Sequence, residues 1–314
     1  MNTGERSGAP PRSPSLAALL AATRPGFLGL ALVAVLLGLA SAIHDGFPIT
    51  AWTAALSLLG AVLAHGGANA LNDYYDHLNG CDAGNVQRIP PFTGGGRTIQ
   101  EGRTTPAQVA AIGWTLFGAT AVIGGILLVA TGPGLLLFGL AGLLLGWLYS
   151  APPLFLAGRG WGEVTVAAAF GLLIPTGAAY VQSGELHSLA LAAGAPLAVL
   201  TAAILYINQF PDYAADRLTG KRHWVVRLGP RLAWPGYPLL VAGAAGALIL
   251  GVVAGPLPGW ALASLLPMGL HAVAVPTLAR HFDEPVHLRP ALANTVTGTL
   301  CYAVTTALVL LLTA

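Results

Sequence analysis

Nine uninterrupted apolar stretches run through this chain, most of them near the roughly 20 residues that carry an α-helix across the hydrocarbon core of a bilayer. They are approximately Leu16–Ile43, Thr50–Leu71, Pro106–Ala130, Gly134–Ser150, Trp161–Val181, Leu189–Phe210, Ala233–Ala254, Trp260–Ala279 and Pro290–Leu312. The runs are continuous rather than alternating, which excludes a β-barrel. Only 8 % of the 314 residues are charged, against about 25 % in a soluble domain, so a solvated surface could not be built around them. A hydrophobic content of 55 % excludes disorder, and two cysteines exclude a disulfide scaffold. The sparse, nearly balanced charge also excludes a nucleic-acid partner. The expected class is all-α, a polytopic membrane protein of nine transmembrane helices whose partner is the lipid bilayer. Its 41 glycines let such helices approach closely.

The placement of the cations orients the bundle. Arg6, Arg12 and Arg24 precede or enter the first span, Arg88, Arg97 and Arg103 follow the second, and Arg159 follows the fourth. Arg217, Lys221, Arg222, Arg227 and Arg231 follow the sixth, and Arg280 and Arg289 join the last two. All 14 basic residues thus fall on the N-terminal side of the membrane, and the opposite loops hold only Asp45 and Glu185. By the positive-inside rule the N-terminus is cytoplasmic and the C-terminus external. The first run is too long for a signal-peptide core and is expected to stay in the mature chain. Residues 1–15 read as a disordered cytoplasmic tail, and 16–314 as one transmembrane domain with motif loops at 72–105 and 208–232. The expected location is the cell's inner (plasma) membrane, multi-pass, with the active site facing the cytoplasm and no obligate protein partner. Cys81 and Cys301 suggest neither a disulfide nor a metal site.

Most of the informative polarity lies in two cytoplasmic segments, Asn72-Asp-Tyr-Tyr-Asp-His-Leu-Asn-Gly-Cys-Asp82 and Asn208-Gln-Phe-Pro-Asp-Tyr-Ala-Ala-Asp-Arg217. If helical, Asn72 and Asp76 share a face with Asp73 beside them, and Asn208, Asp212 and Asp216 stack on another. The pattern Asn-x-x-x-Asp thus ends the second helix of each of two four-helix blocks, which predicts two pseudo-repeats plus a ninth helix. Carboxylates stacked at a helix end repel unless a cation joins them. Mg²⁺ is a hard ion that binds one or two carboxylates and completes its shell with water and substrate phosphate oxygens. Asp73, Asp76, Asp82, Asp212 and Asp216 are therefore candidate metal ligands, holding about two or three Mg²⁺ against a diphosphate. Arg88, Arg97, Arg103, Arg159, Lys221, Arg222 and Arg227 are candidates for the remaining phosphate oxygens, although interfacial arginines also serve topology alone.

These residues resemble the UbiA superfamily of intramembrane prenyltransferases over nearly the whole chain. The superfamily's N-D-x-x-D is met by Asn72, Asp73 and Asp76 with Asp82 as the later acid, and its D-x-x-x-D by Asp212 and Asp216. Gly220-Lys-Arg222, Val226-Arg-Leu-Gly229, Tyr149-Ser-Ala-Pro-Pro153 and Gly160-Trp-Gly-Glu163 are similar as well. The run through Asp82 and Phe92-Thr-Gly-Gly-Gly-Arg-Thr-Ile-Gln-Glu-Gly102 resemble the 1,4-dihydroxy-2-naphthoate polyprenyltransferase (MenA-type) branch. Where the 4-hydroxybenzoate branch usually carries a basic R-P-L-x-S-G stretch, this chain has Arg88-Ile-Pro-Pro-Phe92. It departs from the pattern after the paired prolines, where Leu154, Phe155 and Leu156 replace basic residues and only Arg159 stands nearby.

The resemblance implies Mg²⁺-dependent transfer of a polyprenyl group from its diphosphate to an aromatic acceptor, 1,4-dihydroxy-2-naphthoate in menaquinone synthesis, with 4-hydroxybenzoate, homogentisate and tetrapyrrole acceptors left open. It makes Asp73, Asp76, Asp212, Asp216 and Tyr149 catalytic, and gives substrate contacts to Asn72, Asn208, Arg88, Arg97, Arg159, Lys221 and Arg222. An allylic cation also needs a dry aromatic wall, for which Tyr75, Tyr149, Tyr206 and Phe210 are candidates, and interfacial anchoring is the other use of such residues. His65 and His271 either face substrate or are hydrogen-bonded within the bundle. A secondary transporter is the alternative of another class, and it predicts binding residues and broken helices near the midplane.

Overall fold

A computed structural model describes residues 15–314. The expected tail, with Arg6 and Arg12, lies outside the described residues apart from Ser15. The described residues form helices and connections without a strand. Among the described residues nine helices build the bundle: α1 Pro25–His44, α2 Ala51–Leu78, α3 Pro106–Thr131, α4 Leu135–Leu148, α5 Gly162–Ser183, α6 Ser188–Leu218, α7 Pro230–Val253, α8 Gly259–His281 and α9 Arg289–Leu312. All but α4, with 14 residues, are long and apolar enough to cross a membrane.

The first expected span is divided. Ser15 caps a short helix, Leu16–Ala22, by accepting from the Ala18 amide at 3.2 Å, and the chain then breaks at Thr23–Arg24 before α1 begins. Pro25 is the cause, because its ring disfavours a right-handed helical residue before it and suits the first position of a new helix. Arg24 accordingly adopts φ 52° and ψ 64°.

The second and sixth helices run farther than their apolar stretches. At 1.5 Å per residue the 28 residues of α2 span about 42 Å and the 31 of α6 about 46 Å, against a hydrocarbon core of about 30 Å. Their last turns extend beyond the apolar stretches, and those turns carry the Asp motifs. Both motif helices belong to the same end, because the connections after α2, α4, α6 and α8 all lie there.

The core forms by close backbone contact around α6, the most buried of the spans. A Cβ on Gly194 of α6 would stand 1.9 Å from the Gly171 carbonyl oxygen of α5, and one on Gly38 of α1 2.1 Å from that of Pro175. Only glycine permits these approaches. Tyr302 in α9 donates to the Ala193 carbonyl at 2.9 Å, so a buried hydroxyl is satisfied across helices. Tyr206 donates likewise to the Ala233 carbonyl (2.6 Å), and Phe210 packs in the same buried cluster. His271 bonds Thr299 at 3.1 Å. Tyr206, Phe210 and His271 thus serve packing. At the opposite end His187 ties Asp45 (2.6 Å) to Ser183 (2.7 Å). Both cysteines are free.

Candidate active site

The ends of α2 and α6 face each other across a polar cavity of about 110 Å³ lined by Asp76, Asp82, Asp212 and Asp216, with Asn72, Asn208, Tyr149 and Lys221. Helical spacing places the side chains. Asn72 donates to Asp76 Oδ2 at 3.1 Å one turn on, and to Ser150 at 3.0 Å beyond α4. In α6, Asp212 accepts from Asn85 Nδ2 at 2.6 Å, while Asp216 accepts from Cys81 Sγ at 2.7 Å. His223 Nδ1 accepts from the Val226 amide, so the proton sits on Nε2, which is 2.9 Å from Asp216 Oδ2. The loop after α2 and the loop after α6 therefore both fold back onto the second motif.

Two cations compensate this acidity. Lys221 Nζ bridges the halves, 3.0 Å from Asp76 Oδ1 and 3.2 Å from Asp216 Oδ1. Arg24 pairs with Asp73 and donates to Asn72 Oδ1 at 2.7 Å. Burial opposes the Lys221 charge, but Asp76 and Asp216 outweigh it and raise its pKa well above that of an ordinary lysine. Burial, reinforced by Asp76 and Asp73, pushes the Asp82 carboxyl up to about 8. Asp73 is turned from the cavity, held by Arg24 and by the Gly96 amide at 2.8 Å.

A glycine-rich loop closes over the carboxylates. Gly94 and Gly95 adopt φ of +81° and +73°. A Cβ on Gly95 would come within 2.9 Å of Asp73 Oδ1 and Asp82 Oδ2, so the backbone needs both the conformation and the space that glycine gives. Arg97, also at positive φ, donates to the Asp82 carbonyl.

The five carboxylates outnumber Arg24 and Lys221, an acidity that the protonated Asp82 carboxyl lessens while no metal is bound. The donor set around the cavity is rich in oxygen, which suits a hard divalent cation such as Mg²⁺. The Lys221 ammonium demonstrates that one cation can touch Asp76 and Asp216 together. Elsewhere His281, Glu284 and His287 cluster on an exposed turn, a nitrogen-rich set unsuited to Mg²⁺. With no metal bound, stability is expected to fall as pH rises from about 4 to about 8. Folded Asp82 holds a proton across that window that the unfolded chain has lost, so folding is favoured at the acid end. Thermal melting in EDTA should show this slope, and Asp82→Asn should reduce it.

The remaining expected residues divide. Asn208 lines the cavity and its Oδ1 is buried without a partner. Arg88 packs beside Gly94, and Arg159 and Arg222 are exposed; none of the three lines the cavity. Arg103 pairs with Glu101, and Arg227 donates to the Arg159 and Arg222 carbonyls. Tyr75 stacks on Tyr74 outside the cavity. Arg24, Asn85, His223 and Cys81 were not expected here. Arg24 was legible from the Arg-Pro step, which stops a helix at that residue. Asn85 and His223 depend on loops folding back and left no comparable signal.

At Arg24, Asn72 and Tyr149 the polar cavity meets a second, apolar one of about 310 Å³ that descends between α2, α3, α4 and α5. Leu56, Ile123, Leu127, Phe138 and Leu173 line it, and Gly124, Gly139 and Gly142 widen it.

Residues 31–293 match the UbiA prenyltransferase family. The 1,4-dihydroxy-2-naphthoate octaprenyltransferase of Escherichia coli is 29 % identical over 289 residues, covering 90 % of this chain and 91 % of that one. That of Bacillus subtilis is 26 % identical, covering 73 % and 71 %. A UbiA prenyltransferase domain-containing protein 1 from Danio rerio is 30 % identical, covering 72 % and 65 %. A solved UbiA homolog from Archaeoglobus fulgidus shares the fold at TM-score 0.65 and 18 % identity, covering 94 % of this chain and 99 % of that one. Another structure, of such a homolog from Archaeoglobus fulgidus with DMAPP and Mg²⁺ bound, gives TM-score 0.58, 17 % identity and coverage of 93 % and 99 %. A helical bundle that gathers two Asp motifs at one end, and a family match that spans most of its length, together make this chain a member of the UbiA prenyltransferase family.

Proposed function

We propose that the protein transfers a polyprenyl group from its diphosphate to 1,4-dihydroxy-2-naphthoate, with Mg²⁺ at the aspartates and the site opening to the cytoplasm. The observation that carries this reading is the junction at Arg24, Asn72 and Tyr149, where a carboxylate-lined cavity joins an apolar groove. A diphosphate with an isoprenoid tail is amphipathic in the same sense. The names of the Escherichia coli and Bacillus subtilis relatives favour dihydroxynaphthoate as acceptor. Family membership replaces the transporter alternative, and the carboxylates lie at helix ends rather than at the midplane.

The chain's own residues divide the work. Asp76, Asp82, Asp212 and Asp216 would hold the metal by their oxygens, and Asp73 would anchor Arg24 and the glycine-rich loop. Mg²⁺, when bound, supplies the positive charge that stabilises the departing diphosphate. Lys221 and Arg24 add charge-assisted hydrogen bonds to its oxygens. Asn72 and Asn208 orient the head group from opposite helices. Tyr149 presents its ring where the carbon–oxygen bond breaks and positive charge develops on the allylic carbon. The groove walls exclude water, so the aromatic ring is the nucleophile at hand: its carbon bonds the allylic carbon as the diphosphate departs, and the attacked carbon then loses its proton, or its carboxyl group as CO2.

The test is an assay of the purified protein in proteoliposomes with dihydroxynaphthoate and polyprenyl diphosphates of several lengths, read by product mass. Prenylated dihydroxynaphthoate, or the prenylated naphthalenediol left when its carboxylate departs as CO2, supports the reading, and the absence of both with every donor refutes the acceptor. A Cβ on Gly142 meets nothing within 4 Å, so a larger side chain enters the groove. Gly142→Leu should therefore lower kcat/KM about tenfold or more for a long donor and much less for geranyl diphosphate, a loss of about 1.4 kcal/mol. Equal losses for both donors would place the tail elsewhere.

A further inference from the structure

Below its junction with the polar cavity, the apolar groove is lined by one polar side chain without a hydrogen bond among the described residues. His65 of α2 lines it, and neither ring nitrogen has a hydrogen bond within the protein. Nδ1 is buried and closed off, which leaves Nε2 as the nitrogen toward the groove. The other polar side chains below the junction are occupied. Ser57, Thr120 and Thr165 donate to carbonyls of their own helices at 2.8–2.9 Å, and Asn69 donates to the Thr23 carbonyl at 3.0 Å. An isoprenoid tail offers no donor or acceptor, so an unpaired imidazole against hydrocarbon is costly unless another ligand satisfies it.

The surroundings fit a flat ring. Phe170 stands edge-on to His65, with centroids 4.7 Å apart at 69°, and it lies in the π-helical turn Ala168–Leu173 that interrupts α5. Such turns displace side chains from regular helical register and recur at functional sites. His65 lies two turns below Asn72, about 10 Å along α2, a distance that an aromatic acceptor can bridge when its reacting carbon meets the allylic carbon near the junction.

We infer that His65 and Phe170 form the acceptor subsite, with His65 Nε2 hydrogen-bonded to a hydroxyl or carboxylate oxygen of a planar aromatic substrate. This rests on the prenyl-transfer reading. His65 is a substrate-binding residue here: it holds the acceptor ring in register and does not touch the breaking bond.

The test uses the full chain in proteoliposomes with 1,4-dihydroxy-2-naphthoate and geranyl diphosphate, each varied at saturating amounts of the other. His65→Leu should raise the acceptor KM about tenfold or more and leave the donor KM within about twofold. His65→Gln, whose amide can both donate and accept, should restore the acceptor KM to within about threefold of the parent. A rise in donor KM alone would put His65 on the tail and overturn the inference. So would unchanged constants, or equal losses in both variants with a lowered melting temperature. No product from the parent protein with this pair would instead refute the acceptor reading, and the subsite assignment with it.

Discussion

Asp212→Asn is expected to lower kcat/KM for prenyl transfer by about a thousandfold, roughly 4 kcal/mol of transition-state stabilisation, while the bundle stays folded. Asp212 lies at the cavity wall, where it accepts a hydrogen bond of 2.6 Å from Asn85, and the substitution keeps its shape and removes its charge. Asp76→Asn should do the same from the other half of the molecule. Because both carboxylates would act on one diphosphate through shared metal, the double variant should be little worse than either single one. Folding gives the opposite sign at Asp212. Asp212 forms no ion pair among the described residues and the site has more acid than base, so removing its charge relieves repulsion. The melting temperature of Asp212→Asn in EDTA should hold or rise, whereas Asp76→Asn breaks the pair with Lys221 and should lower it. Steady-state kinetics alongside melting curves separates the effects, and losses that add fully would mean that the motifs act independently.

Gly95→Ala is expected to cost about a hundredfold in kcat/KM with only about 1–2 kcal/mol lost from stability. The stability term is the left-handed conformation, φ +73°, which an L side chain resists. The catalytic term comes from the new Cβ, which at 2.9 Å from Asp73 Oδ1 and Asp82 Oδ2 must push the loop or the carboxylates aside. Displacement of about 1 Å is enough for such a loss. Gly102, also at positive φ (+68°) but with nothing within 4 Å of its Cβ position, is the control. Gly102→Ala should show the stability cost without the catalytic one, measured by the same kinetics and melting. Equal activity losses at the two positions would assign the effect to backbone strain alone.

The spans were legible because apolar runs of bilayer length admit few alternatives, and the two Asn-x-x-x-Asp arrays because helical periodicity aligns their side chains. The break at Arg24 was missed because hydropathy runs smoothly through Pro25, although the proline itself marks it. Lys221 was expected against substrate and is found between Asp76 and Asp216, since distance along the chain gives no account of which carboxylates converge. The arginines near the motifs could not be told apart in the sequence. Arg159 and Arg222 sit in the right loops but point outward, and a positive-inside cation has the same sequence signature as a phosphate ligand. Tyr149 and Tyr206 looked alike as aromatics at helix ends. Only packing distinguishes them, with Tyr149 on the cavity and Tyr206 bonded to α7. His65 could be read either as substrate-facing or as satisfied within the bundle. The choice turns on the absence of a hydrogen-bond partner, which is a property of the fold and not of the motif.

The central claim is that the carboxylates of α2 and α6 together hold one diphosphate through Mg²⁺. Calorimetric titration of the purified protein with geranyl diphosphate addresses it most directly. Saturable binding should occur with Mg²⁺, vanish in EDTA, and be lost on either Asp76→Asn or Asp212→Asn. Undiminished binding in EDTA, or dependence on only one of the two aspartates, would contradict it.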